Sequence, residues 1–179
     1  LMSAGELDCA VCRVSATATR VAAMGDFAFF PMHEATLCII IGRRHPLFRR
    51  KKIHLRDLVD EDWALSASSG KSRQLLSDAF IRAGLPVPDP IVECRPLAAN
   101  LAIASELPLI TVGMRAEALP GQQAGLLRIL PIRLEQEATL VSFVCRKALV
   151  NMPPLPQVRA AVAVSCRKAG LPAVRSPRR

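Results

Sequence analysis

The chain has 179 residues, 51% of them hydrophobic but only 4% aromatic, with one Trp and no Tyr. That is enough apolar material for one domain or a cleft protein of two lobes, and too much for a disordered chain. Lys and Arg outnumber the acids 24 to 15, and the net charge of +9 favours anionic partners, whether nucleic acid, anionic lipid or acidic metabolites, while the scarcity of aromatics argues against base stacking.

In chain order, residues 7–14 alternate like a strand. Cys9 and Cys12 within it form a C-x-x-C, but no second pair and no helix start follows, so a strand explains it better than a metal or redox site. A loop of small hydroxyl residues occupies 15–19, and residues 27–31 lead into a second strand at 36–41. Gly42 to Pro46 breaks that strand, and positive charge then gathers in Arg43, Arg44, Arg49, Arg50, Lys51, Lys52 and Arg56. With only Phe48 as aromatic company, this run is expected to be a solvated loop. A short helical turn follows at 55–58.

Trp63, Ala64 and Leu65 predict a short buried strand, followed by a hydroxyl-rich loop and an amphipathic helix with Leu75, Leu76, Ala79, Phe80 and Ala83 on one side. Ser69 fits the N-cap, Gly84 the C-cap, and Pro86 stops any continuation. No acid enters the first turn, so its open N–H groups suit a carboxylate or other small anion; taken alone, the stretch reads first as a capped surface helix with its donors in water.

Residues 91–94 predict a strand, Pro96 the first position of a helix carrying Leu97, Leu101 and Ala104, and residues 109–112 a further strand. A short helix at 115–119 should end at Pro120-Gly121, strands should follow at 126–132 and 140–146, and a closing helix should span 157–169 before a frayed tail at 173–179. Strands alternating with helices give an α/β class.

No apolar run is long enough to cross a bilayer, and Glu6 and Asp8 do not fit a signal peptide. Six cysteines set in apolar runs fit buried thiols, so a cytoplasmic location without membrane attachment is expected. The start at Leu1-Met2, with no element before the first apolar run, suggests a truncation or an alternative start codon read literally. Gly70-Lys71-Ser72 ends like a phosphate-binding loop, but Leu65 stands where that loop needs its first glycine. No G-x-S-x-G elbow, metal-ligand spacing or paired acid and base is present, so neither catalysis nor a cofactor is expected.

Together, HPLFRRKKIHLRDLVDEDWAL, SSGKSRQLLSDAFIRAGLPVPDPIVE, LAANLAIASELPLITV, GLLRILPI and LVSFVCR resemble the effector-binding domain of LysR-type transcriptional regulators, with GELDCAVCRV and PPLPQVRAAVAVSCRKAG matching its flanks. The likeness runs over about residues 3–170 and lies in the order of many weak signals. It implies a periplasmic-binding-protein-like (type II) fold of two α/β lobes. Residues 36–135 would be a whole distal lobe, and 1–35 with 136–179 an incomplete proximal one.

The resemblance further implies a small organic-acid or sugar-acid effector held between the lobes. Its contacts would come from Ser66, Ser68, Ser69, Gly70 and Lys71, from Arg95, Pro96 and Leu97, and from Thr17. It implies a homo-oligomer in the full-length regulator, and operator DNA contacted only through an N-terminal domain that this chain lacks. The competing reading is a basic module that binds nucleic acid or anions nonspecifically through its +9 charge.

Overall fold

The alternation near the start does produce a strand, β1 (Cys9–Ser15), and it pairs along its length with β8 (Thr139–Arg146), Cys9 opposite Cys145 and Ser15 opposite Thr139. The computed structural model describes residues 2, 4–15, 25–67, 70–135, 139–171 and 174, the side chain of Leu97 excepted. They fall into two units, Leu1–Ala35 with Glu137–Arg179, and Thr36–Gln136.

In the first unit β8 is the central strand, antiparallel to β1 on one side and to β2 (Phe27–Glu34) on the other. Residues 27–31 are therefore not a lead-in but most of a strand. Pro31 masked it in the sequence, because proline has no N–H for a ladder; here it sits in an edge strand, beside a register shift between Pro31 and His33. Helix α4 (Leu155–Lys168) begins two residues earlier than its periodicity suggests, with Pro156 in the first turn, where a missing N–H costs nothing. Leu155 joins Met32, Phe143 and Cys145 in the core, and the Arg159 guanidinium lies 4.1 Å from the centre of the Phe30 ring.

The second unit is a five-stranded mixed sheet in the order β5-β4-β6-β3-β7. Its elements are β3 (Leu37–Gly42), β4 (Trp63–Leu65), α1 (Lys71–Arg82), β5 (Val92–Glu93), α2 (Leu97–Glu106), β6 (Ile110–Met114), α3 (Arg115–Gln123) and β7 (Leu127–Ile129). Strand β4 runs parallel to β5 and β6, and β3 antiparallel to β6 and β7. Every residue of β3 is buried because both faces of the sheet are covered. Leu37, Ile39 and Ile41 pack with Trp63, Ile110, Leu76 and Phe80, on the α1 side. Cys38 and Ile40 pack with Leu101 of α2 and Ala118 of α3 on the other. Burial pushes the Cys38 thiol up to about 12, marking it as core material.

Gly42 closes β3 where only glycine fits, since a Cβ there would overlap the backbone carbonyl of Ala104 at the end of α2. The basic segment that follows is tied down rather than loose. It contains 3-10 turns at Pro46–Arg49 and Leu55–Leu58, with Leu47, Ile53 and Leu58 buried against the core. Arg128 Nη1 of β7 donates to the carbonyls of Leu47, Phe48 and Arg50, and the Asp57 carboxylate accepts from the His54 N–H at 2.7 Å and from Arg50 Nη2 at 3.1 Å.

Several boundaries differ from expectation. Helix α3 runs through Pro120 to Gln123, held by packing: Ala118 is buried, and Gly121 lies so close under Leu127 that a Cβ would meet its Cδ1 at 2.6 Å. Strands β5 and β7 are shorter than their apolar runs, because pairing partners and not hydrophobicity set strand length. Gly70, not Ser69, is the N-cap of α1, and Pro96 is the N-cap of α2 rather than its first residue. Gly84 follows the C-cap Ala83 with φ +67°, the left-handed position that glycine serves. Ser69 and the expected frayed residues 173 and 175–179 lie outside the described residues.

Candidate functional site

Parallel pairing decides where the predicted site residues go. Ala64 stands opposite Val92 and Leu65 opposite Glu93, so β4 and β5 end side by side at one edge of the sheet. The Cys94 N–H donates to the Leu65 carbonyl at 3.0 Å and fastens the two departing turns together. From these carboxyl ends the chain leaves β4 at Ser66 and Ala67 and enters α1 at Gly70, and it passes through Cys94 to Pro96 into α2. Ligands of open α/β sheets collect outside such ends.

The first turn is held by the Ser66 and Ser72 hydroxyls, 2.8 Å apart, and by the Gly70 N–H, which donates to the Ala67 carbonyl at 2.9 Å. Gly70 belongs there on space as well, since a Cβ would lie 3.2 Å from Ser66 Oγ and 3.1 Å from the Ala67 carbonyl oxygen. At α2 the Ala99 N–H donates to the Pro96 carbonyl at 3.0 Å, and the Asn100 amide Nδ2 to the Cys94 carbonyl at 3.4 Å.

Neither helix start carries an acid in its first turn or a side-chain cap. Each therefore presents free backbone donors with the positive end of the helix dipole behind them. Lys71 and Arg95 are exposed beside these donors. A cation at the positive end of a helix is locally unfavourable, by a few tenths of a kcal/mol, until an anion arrives.

The structure thus brings Ser66, Gly70 and Lys71 together with Arg95, Pro96 and Leu97 at one sheet edge. Ser68, Ser69 and Thr17 lie outside the described residues. Sequence reasoning missed three neighbours. Ser72 is the partner of Ser66. Arg73 reaches the Pro88 carbonyl at 3.1 Å with Nη2, while its Nη1 is buried without a hydrogen bond. Asn100 is fully buried with an unpartnered Oδ1. The signal for Asn100 was visible, as the lone polar residue among the first eight of the apolar helix LAANLAIASE. The arrangement supplies hydroxyls, backbone donors and cations, a set suited to holding a polar anion.

The model of the LysR substrate binding domain matches residues 1–167. Over 104 residues the chain is 27% identical to the HTH-type transcriptional regulator GbpR of Rhizobium radiobacter, covering 55% of this chain and 34% of that protein. Over 128 residues it is 29% identical to the HTH-type transcriptional regulator GalR of Pseudomonas putida, covering 69% of this chain and 31% of that protein. The chain therefore spans about a third of the length of the curated relatives it matches. Its fold is similar to the effector binding domain of QuiR in complex with shikimate, with a TM-score of 0.59 at 16% identity over 96% of this chain and 77% of that one. With nearly its whole length matched and its periplasmic-binding-protein-like α/β fold shared, the chain belongs to the LysR substrate-binding domains, the effector-binding regulatory part of a family of transcription regulators.

Proposed function

We propose that this chain senses a small organic acid or sugar acid at the turns that open α1 and α2, as the regulatory part of a longer LysR-type regulator. The observation that carries the reading is the pair of uncapped, acid-free helix starts set side by side by β4 and β5, with Lys71 and Arg95 exposed beside them. Lys71 and Arg95 neutralise the carboxylate, the backbone donors after Gly70 and Pro96 fix its direction, and Ser66 bonds a hydroxyl of the ligand. Ser68, Ser69, Leu97 and Thr17 are assigned to the same ligand on the family resemblance. The likeness to a domain solved with shikimate, itself an organic acid, supports this ligand class. The chain acts by binding and not by catalysis: the ligand biases a conformational equilibrium that the rest of the regulator transmits. Operator recognition, homo-oligomerisation and a cytoplasmic setting are assigned to the full-length regulator.

Thermal unfolding of the purified chain against a panel of aldonic and cyclic carboxylic acids, with neutral sugars as controls, tests this. One acid should stabilise the chain, by about 2.7 kcal/mol at a hundredfold excess over its Kd. The double variant Lys71→Gln/Arg95→Gln should lose that shift while melting like the parent without ligand. A panel in which no acid raises the melting temperature, or in which the double variant responds fully, overturns the proposal.

A further inference from the structure

The charge of the second unit is concentrated away from the candidate site. Residues 43–56 hold seven cations and no acid, whereas the other 87 residues of Thr36–Gln136 hold seven cations and ten acids. This segment leaves the sheet after Gly42 and rejoins it at Trp63. Ile41 stands opposite Ile110, and Trp63 opposite the same residue, so both points lie at the edge of the sheet opposite to the ends of β4 and β5.

Two of the seven cations are engaged, Arg44 with Glu106 at 3.3 Å and Arg50 with Asp57 at 3.1 Å. The side chains of Arg43, Arg49, Lys51, Lys52 and Arg56 are exposed and make no hydrogen bond or ion pair with the described residues. Their backbone is fixed by Arg128, by Asp57 and by the buried Leu47, Ile53 and Leu58. Five free cations on an anchored segment lose little backbone entropy on meeting a polyanion. Aromatic partners for unstacked bases are missing, since Trp63 is fully buried and Phe48 packs against the core.

We propose that the segment of residues 43–56 is a docking surface for the phosphate backbone of duplex DNA, independent of sequence and separate from the effector turns. It supplies up to five phosphate contacts through Arg43, Arg49, Lys51, Lys52 and Arg56. It adds nonspecific affinity to whatever segment of the regulator reads the operator.

Binding of the chain to a random duplex, titrated with salt, tests this. Five contacts give a log–log slope of about −4.5, roughly 500-fold weaker binding for a fourfold rise in salt. Arg49→Gln/Lys51→Gln/Lys52→Gln should flatten the slope by about 2.7. A control with the same charge change at exposed sites elsewhere, Arg133→Gln/Arg167→Gln/Lys168→Gln, should change it by less than about 1. Equal loss in both variants would mean diffuse charge and overturn the assignment. So would polyglutamate bound in preference to duplex, which would reassign the surface to an acidic protein. A ligand-independent result in either variant leaves the organic-acid reading untouched, because none of these residues lies at the turns of α1 and α2.

Discussion

His45 shows how much a single side chain can organise. Its Nδ1 accepts the Leu47 N–H at 3.2 Å, capping the turn at Pro46–Arg49, which assigns the proton to Nε2, 3.5 Å from Glu61 Oε2. Burial lowers its pKa from the usual 6.5, since a charged imidazole would lose its water and, once protonated at Nδ1, its capping role. The unfolded chain then binds a proton that the folded chain refuses, so stability is full above pH 6.5 and falls as the pH drops below it. Glu61 works the other way. Burial first, then Asp62 and Asp60, raise its carboxyl above 4.5, so its protonation in the fold offsets part of the loss at the acid end. His45→Gln should flatten the decline below pH 6.5, as chemical denaturation across pH would show.

Residue detail was also where the sequence said least. Ser69 has the better capping side chain, yet Gly70 takes the N-cap of α1, where a Cβ would press closely on Ser66 and Ala67. Asn100 was missed although its chemical contrast within an apolar helix was visible, and Arg73 gave no signal, since burial of a guanidinium depends on the loop that carries Pro88.

Elements were legible in proportion to how far their own periodicity, rather than a neighbour, decides them. Helix α1 was clear: its apolar stripe buries Leu76, Ala79 and Phe80, and Phe80 meets the edge of Trp63 at 5.9 Å between centroids. Phe80→Ala should therefore cost about 3–5 kcal/mol, read as a lower denaturation midpoint. Pro31 and Pro120 misled in one direction, each suggesting a break that tertiary packing overrode. The edge position of β2 forgives the first, and the seat of α3 on β7 forgives the second. The basic segment was expected to be a solvated loop, and its cations are indeed exposed, but nothing local announced that Arg128, far along the chain, would hold its carbonyls.

At the scale of the molecule, the second unit is one continuous stretch with helices on both faces of its sheet, while the first is assembled from two separate stretches. A fragment of residues 36–136 should consequently fold alone, giving a cooperative thermal transition; a fragment that melts without cooperativity would contradict this. The order of β and α segments was enough to suggest the family, whereas the placement of the two helix starts at one edge needed the parallel register of β4 with β5.

In the first unit, Glu34 stands opposite Leu140, and the Ala35 N–H reaches the Thr139 carbonyl at 2.8 Å. The whole second unit is thus spliced into the chain where a simple reverse turn could have joined two neighbouring strands. A piece inserted at such a point can be lengthened, exchanged or grafted while the paired strands that carry it keep their register, because both of its ends meet at one rung of the ladder.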